Sequence, residues 1–183
     1  MTKWMRALLL GVASCGLLHA CASVPLSTMA RMSTFDEQKF AAVRAEEVGV
    51  RIRVPKGFEL DVAKSGLAIT LASKAGVHES RFDLEQVGLR DVEVDAGWLS
   101  GAEPGVEYEL RLRGPSQDRF RELQAFVAKA RADDILIRVM PKLASSPADA
   151  TAVTVWIDLR LSEAEGYFAL VDGAAIELSR LRK

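Results

Sequence analysis

Alternation of apolar and polar side chains over three stretches most restricts what this 183-residue chain can fold into. Residues 48–54, 106–113 and 153–160 each place apolar side chains at every second position. Successive side chains of an extended strand point to opposite faces, so the apolar positions of each stretch share one face. The pattern therefore predicts β-strands with one buried face and one solvated face.

Other stretches add strands and one hairpin signal. Further strands are predicted at residues 67–72, 78–87 and 135–140. Residues 92–104 are predicted to be a short strand and a loop. Asp172-Gly173 is typical of a two-residue hairpin turn, so residues 167–171 and 174–178 are predicted to pair across it.

Helical signals are fewer. Ser116 is the predicted N-cap of one long helix that runs to about residue 132, with Phe120, Leu123 and Val127 on one face. A short helix after the capping-box spacing of residues 34–37 is predicted to pack Phe40 on the domain. After an N-terminal signal helix, we expect a mainly β domain with one long helix, arranged as a β-sandwich-like fold. An antiparallel α+β sheet with the helix on one face is the alternative.

The first 20 residues have the parts of a secretory signal. Lys3 and Arg6 precede the apolar run 7–18, and small residues then lead to Cys21. The run is shorter than the roughly 20 residues that a membrane-spanning helix needs. The sequence therefore predicts export with removal of residues 1–20.

Leu18-His19-Ala20-Cys21 resembles the lipobox of bacterial lipoproteins. The resemblance implies that the Cys21 sulfur receives diacylglycerol and that the new amino terminus is acylated, with palmitate-type chains. His19 departs from the small or apolar residue usual at that place. Residue 22 is Ala rather than Asp, which in Gram-negative lipoproteins implies the outer membrane, facing the periplasm.

Two alternatives to a Cys21 anchor stay open. Residues 12–15 also fit a lipobox, which would make Cys15 the lipidated residue. An ordinary signal peptide without lipidation, or an uncleaved anchor, is the other. With Cys21 as the anchor, the predicted organisation is a signal peptide (1–20), a lipidated tether (21–34) and one β-rich domain (35–183).

Charge and cysteine content exclude several classes of protein. Removal of residues 1–20 takes Lys3 and Arg6, which leaves 22 basic and 25 acidic residues and a formal charge of −3. That balance is not the signature of a nucleic-acid-binding protein. The processed chain keeps only Cys21, so no internal disulfide is expected.

Motifs for catalysis and metal binding are absent from the sequence. His78 has no second histidine at the zinc-protease spacing, and no serine has the Gly-x-Ser-x-Gly or Ser-x-x-Lys setting. Asp91, Glu93 and Asp95 share one face of a predicted strand but lack a calcium-loop pattern. We therefore expect no catalytic residue, no metal site and no cofactor.

Two tryptophans are the candidates for a binding surface. Trp98 stands in a glycine-rich segment, and Trp156 lies opposite the aliphatic face of its predicted strand. Aromatic side chains at such places can form surfaces for ligands or partners.

Three functions are consistent with these features. The preferred one is a non-catalytic lipoprotein that binds a partner or gives structural support at the cell envelope. The alternatives are a carrier of apolar ligands and a hydrolase that uses carboxylates or His78. The start of the processed chain, residues 21–26, also resembles uncharacterised proteobacterial lipoproteins, which implies no activity.

Overall fold

The computed structural model describes residues 24–73, 76–95, 101–130 and 134–181. The helices in these ranges are α1 (Leu26–Ser33), α2 (Glu37–Ala42), α3 (Gly114–Ala130) and α4 (Leu178–Leu181), with a 3₁₀ turn at Ala45–Glu47. The strands are β1 (Gly49–Pro55), β2 (Glu59–Leu60), β3 (Gly66–Ser73), β4 (Gly76–Asp95), β5 (Ala102–Leu112), β6 (Asp134–Met140), β7 (Leu143–Ser145), β8 (Ala152–Arg160) and β9 (Phe168–Glu177).

Seven of the strands form one antiparallel sheet in the order β6-β3-β4-β5-β1-β8-β9. The sheet curls into a half-barrel, and β2 pairs with β7 beside it. A mainly β domain with one long helix is therefore confirmed. The helix lies on one face of a single sheet, which is the alternative packing that the sequence left open. A sandwich is not formed because hydrogen bonds continue across all seven strands.

The alternating stretches form the centre of the sheet. Val50, Ile52 and Val54 of β1 are fully buried, and Ile52 lies opposite Tyr108 of β5 and Ile157 of β8. The same period puts Arg51 and Arg53 on the other face, which we call the outer face. The inner face packs against α3.

Three phenylalanine rings fill the space between the sheet and α3. Phe120 of α3 lies 5.2 Å from Phe40 of α2 and 5.7 Å from Phe82 of β4, between ring centroids. All three are at most 1 % exposed. The predicted packing of Phe40 on the domain is confirmed, and Phe120 anchors the long helix as its apolar face predicts.

The segment after Cys21 differs from the predicted tether. Residues 26–33 form α1 and dock on β9 instead of remaining extended. Thr28 is 3 % exposed and donates a hydrogen bond to the Ala169 carbonyl of β9, and Met32 packs against the core. Eight residues make a marginal helix alone, so this docking stabilises it.

Strand β4 is longer than predicted and includes residues assigned to a separate strand. Its register with β5 slips at Val87, because Gln86 pairs with Leu110 and Gly88 with Glu109. Such a β-bulge reverses the faces of the residues that follow. Leu84 before the bulge therefore faces the core, whereas Arg90 after it faces Glu107 on the outer face.

The predicted hairpin at Asp172-Gly173 is wrong. Strand β9 runs through both residues and pairs with β8 along its whole length, from Phe168 to Glu177. Val155 pairs with Ala174 and Ile157 with Val171, so Asp172 and Gly173 together lie opposite Trp156. The left-handed conformation of Gly173, with φ of +71°, serves a bulge here and not a turn.

The N-termini of α2 and α3 also differ from their predicted positions. The α2 N-cap is Asp36, whose carboxylate accepts from the Lys39 amide at 2.9 Å, rather than Thr34. Ser116 lies within the first turn of α3 and is fully buried. Its hydroxyl accepts from the Asp83 amide of β4 at 2.8 Å, so it joins the helix to the sheet instead of capping the helix.

Candidate functional site

The N-terminal helix presents an apolar surface on the side away from the domain. Leu26 is 82 % exposed, Met29 is 55 % exposed, and Val24, just before the helix, is 42 % exposed. Leu26 and Met29 are three residues apart and so share one helix face. We call these three residues the α1 apolar face. Contiguous exposed apolar side chains commonly mark a contact surface for a partner or a membrane.

Contacts on the opposite side hold α1 in place. The Arg31 guanidinium lies 3.2 Å from the Glu165 carboxylate and 4.5 Å from the centroid of the Phe168 ring. With the Thr28 and Met32 contacts, these interactions connect the helix to the edge strand β9 and to the loop before it. The α1 apolar face is therefore fixed relative to the sheet.

A groove of about 350 Å³ adjoins α1 on the α2 side. It runs between α1, α2 and the segment that follows β8, and its walls are both apolar and charged. The lining residues are Arg31, Thr34, Phe35, Lys39, Ala42, Val43, Leu161, Ser162 and Glu165. Lys39 also donates to the Thr34 hydroxyl at 3.0 Å, which ties α2 to the end of α1.

The outer face of the sheet carries a second feature, a cluster of charged residues from three neighbouring strands. We call it the ionic cluster, and its members alternate with the core residues of β1, β5 and β8: Arg51, Arg53, Glu107, Glu109, Asp158 and Arg160. Arginine and carboxylate positions face each other across the strands because the registers pair Arg53 with Glu107 and Arg51 with both Glu109 and Asp158.

Glu107 is the centre of the ionic cluster. Its side chain is only 6 % exposed, and its carboxylate lies 2.7 Å from Arg90, 3.7 Å from Arg51 and 4.0 Å from Arg53. The Nε atoms of Arg51 and Arg53 are buried and make no hydrogen bond, so Glu107 compensates them by charge alone. A buried carboxylate among three guanidinium groups is needed at this position, because its loss would leave the buried positive charge of the arginines uncompensated and would destabilise the fold.

Asp158 and Tyr167 close the ionic cluster at its two ends. Asp158 accepts from Arg53 at 2.9 Å and 3.1 Å, yet burial raises the pKa of its carboxyl above 3.8 despite this arginine. The Tyr167 hydroxyl donates a hydrogen bond to the Glu109 carboxylate at 3.1 Å. The centroid of the Tyr167 ring lies 3.8 Å from the guanidinium carbon of Arg51. Burial also raises the pKa of Tyr167.

The position of Tyr167 requires a glycine beneath it. A Cβ on Gly49 would lie 2.6 Å from the Tyr167 hydroxyl oxygen, closer than side-chain carbons come to other atoms. Gly49 thus leaves space for the Tyr167 ring over the start of β1. The centroid of this ring also lies 4.9 Å from the guanidinium carbon of Arg160. This role of Gly49 could not be predicted from the sequence, since nothing in the local pattern relates position 49 to position 167.

His78 lies in a separate groove between β4 and α3. Its Nε2 is 3.1 Å from the Ser80 hydroxyl, and its ring centroid is 5.1 Å from that of Phe126. The groove has a volume of about 350 Å³, and Arg119 and Glu122 also line it. A serine and a histidine at this distance have the atoms of a nucleophile and a base. Among the described residues, no carboxylate accepts a hydrogen bond from the His78 ring.

The remaining predicted residues are not brought together with these features. Asp91, Glu93 and Asp95 are exposed along the end of β4. Within the described ranges, no group of three histidine, cysteine or acidic side chains could hold a metal ion. Cys21 and Trp98 lie outside the described residues. Trp156 is 3 % exposed, so its indole is packed within the fold and does not form the exposed binding surface predicted from the sequence.

Comparisons with known proteins return no relatives: the chain matches no family model, no curated protein and no solved structure. Within the residues that the structure covers, none of the helices has the length and apolar character needed to cross a membrane.

Proposed function

We propose that this chain is a bacterial lipoprotein, anchored through Cys21 in the outer membrane, whose domain acts in the periplasm by binding and not by catalysis. The lipobox resemblance supports the anchor. The observation that carries the proposal is the docking of α1 on β9, which brings the folded domain to within a few residues of the predicted lipid.

The ionic cluster supports a binding role over a catalytic one. Its three carboxylates each face arginines, and Glu107 and Asp158 are largely covered by them. Groups paired in this way hold a fixed pattern of charge instead of exchanging protons with a substrate. A patterned, partly exposed arginine surface fits an envelope protein as the partner.

The carrier of apolar ligands gains no support from the interior. That function needs a cavity between the sheet and α3, and this is where the Phe120 ring packs against the rings of both Phe40 and Phe82. We therefore do not propose it.

Acyl labelling in a Gram-negative host tests the anchor. Cells that express the full chain are fed labelled palmitate and separated into inner-membrane, outer-membrane and soluble fractions. We expect label in an outer-membrane band that has lost residues 1–20, and Cys21→Ser should abolish both the label and signal removal. Cys15→Ser is the matched control and should change neither. Label that survives in Cys21→Ser would contradict the assignment of Cys21 and move the anchor to Cys15.

The His78–Ser80 pair favours a second candidate, a serine hydrolase. Its test is hydrolysis of a p-nitrophenyl ester by the purified full-length protein. Activity that Ser80→Ala and His78→Ala each abolish would support it, and the exposed Ser33→Ala variant serves as the control. Equal rates for all three variants and for the unchanged protein would exclude it.

A further inference from the structure

We propose that the α1 apolar face lies on the lipid bilayer, so that the domain rests against the membrane instead of hanging from a flexible tether. The inference rests on the proposed lipidation of Cys21. It adds a second contact, made by this chain's own side chains, to the one made by the acyl chains.

Chain length places α1 at the membrane. Five residue steps separate Cys21 from Leu26, and a fully extended chain covers at most about 3.6 Å per residue. The Cα atom of the first residue of α1 therefore stays within about 18 Å of the Cα atom of Cys21, which carries the lipid. From Leu26 onward the chain adds no further length to this span, because Thr28 docks on β9 and α1 is part of the folded domain.

The orientation of α1 turns its apolar side chains away from the protein. Thr28 and Met32 are four residues apart and face the domain, whereas Leu26 and Met29 face outward. Ala30 is also exposed on the outward side. An amphipathic helix with this division of faces inserts its apolar face at the boundary between headgroups and acyl chains.

The charge of the segment agrees with a lipid surface. Residues 21–35 contain one charged side chain, Arg31, and no carboxylate. Because this segment has no carboxylate, no acidic group of α1 opposes anionic headgroups, and the one charged side chain, Arg31, contacts Glu165 and Phe168 on the domain side. A membrane is therefore a better occupant of this face than water.

Accessibility of a spin label in proteoliposomes tests the contact. Full-length Ala30→Cys is expressed and purified in its lipidated form. Its introduced thiol is the only free one, because Cys21 is acylated and Cys15 leaves with the signal. Ala128→Cys, on an exposed position of α3, is the matched control. Each label is measured for collision with oxygen, which concentrates in lipid, and with a water-soluble nickel chelate.

We expect the label at residue 30 to collide more with oxygen and less with nickel than the label at residue 128. Nickel collisions as frequent at residue 30 as at residue 128 would show that water covers the face and would overturn the inference. Low collision with both reagents would show that protein, such as a second copy of the chain, covers it, and would overturn the inference too.

The two proposals fail in different ways. If the purified chain carries no acyl group and does not associate with vesicles, the lipoprotein assignment fails. If it is acylated and bound to vesicles while the label at residue 30 stays in water, only the contact of α1 fails.

Discussion

The indole nitrogen of Trp156 lies 3.3 Å from the position that a Cβ on Gly173 would occupy. The two residues face each other across β8 and β9, where Asp172 and Gly173 lie opposite the single residue Trp156. The glycine thus has two functions at once, because it adopts a positive φ and leaves room for the indole. This contact explains why Asp-Gly here marks a bulge within a strand.

Gly173→Ala should therefore destabilise the domain. The left-handed conformation costs a residue with a Cβ about 1–2 kcal/mol, and the indole must also shift. We expect a loss of about 2 kcal/mol in the free energy of unfolding, measured by urea denaturation. Gly114→Ala is the control, since a Cβ there meets no atom within 4 Å, and equal losses for both variants would contradict the explanation.

Glu107→Gln should weaken the sheet through the ionic cluster. The change removes the charge that compensates the buried Nε atoms of Arg51 and Arg53. Breaking a buried pair costs about 3–5 kcal/mol, and the partial exposure of the arginines reduces this to about 2 kcal/mol. Urea denaturation measures the loss.

The matched control for Glu107 is another cross-strand pair on the outer face. The Glu85 carboxylate lies 2.7 Å from Arg111, but the two side chains are 34 % and 54 % exposed. Glu85→Gln should cost less than about 1 kcal/mol, because water screens exposed pairs. If it costs as much as Glu107→Gln, burial is not what gives Glu107 its importance.

The acid dependence of stability should have opposite signs at Asp158 and Glu79. Burial raises the pKa of Asp158 above 3.8, so the folded protein holds this proton more firmly than the unfolded chain. Stability from this group is therefore present at low pH and is lost as the pH rises through the raised pKa. The unchanged protein should lose stability relative to Asp158→Asn over that range.

Glu79 provides the comparison. A hydrogen bond from Arg81, with the nearby charge of Arg138, lowers the pKa of Glu79 below 4.5. The contribution of Glu79 to folding stability is present above pH 4.5 and is lost as the pH falls through the lowered pKa. The unchanged protein should therefore gain stability relative to Glu79→Gln as the pH rises. Urea denaturation at a series of pH values measures both differences, and slopes of the same sign would contradict the assignment.

Strands were predictable wherever one face is buried along the whole element. Ile52 and Val54 alternate with Arg51 and Arg53. The alternation holds along the whole of β1 because one side of the strand faces the core throughout and the other side belongs to the outer face throughout. The period fails in β4, where the bulge at Val87 exchanges the two faces in mid-strand. A single extra residue is enough to make one long strand look like two elements.

The candidate sites were less predictable because they depend on register and docking. The sequence shows that Arg53, Glu107 and Asp158 are polar positions of strands, but only the pairing of β1 with β5 and β8 makes them neighbours. Likewise, Pro25 and the serine and threonine residues after it suggest a tether. Burial of Thr28 and Met32 against β9 and the core outweighs that weak local preference.

Docking of α1 should depend on the Thr28 hydroxyl. Thr28→Ala removes the hydrogen bond from this buried side chain to the Ala169 carbonyl of β9 and leaves that partly buried acceptor without this donor. A loss of about 1 kcal/mol corresponds to a roughly fivefold larger equilibrium constant for opening of the helix from the sheet, and so to roughly fivefold faster amide exchange. Hydrogen–deuterium exchange of the α1 amides in the lipidated chain measures this change. Ser27→Ala, at the exposed neighbouring position, should leave the exchange unchanged, and equal acceleration in both variants would contradict a specific role of the Thr28 hydroxyl in docking, because alanine raises helix propensity at both positions.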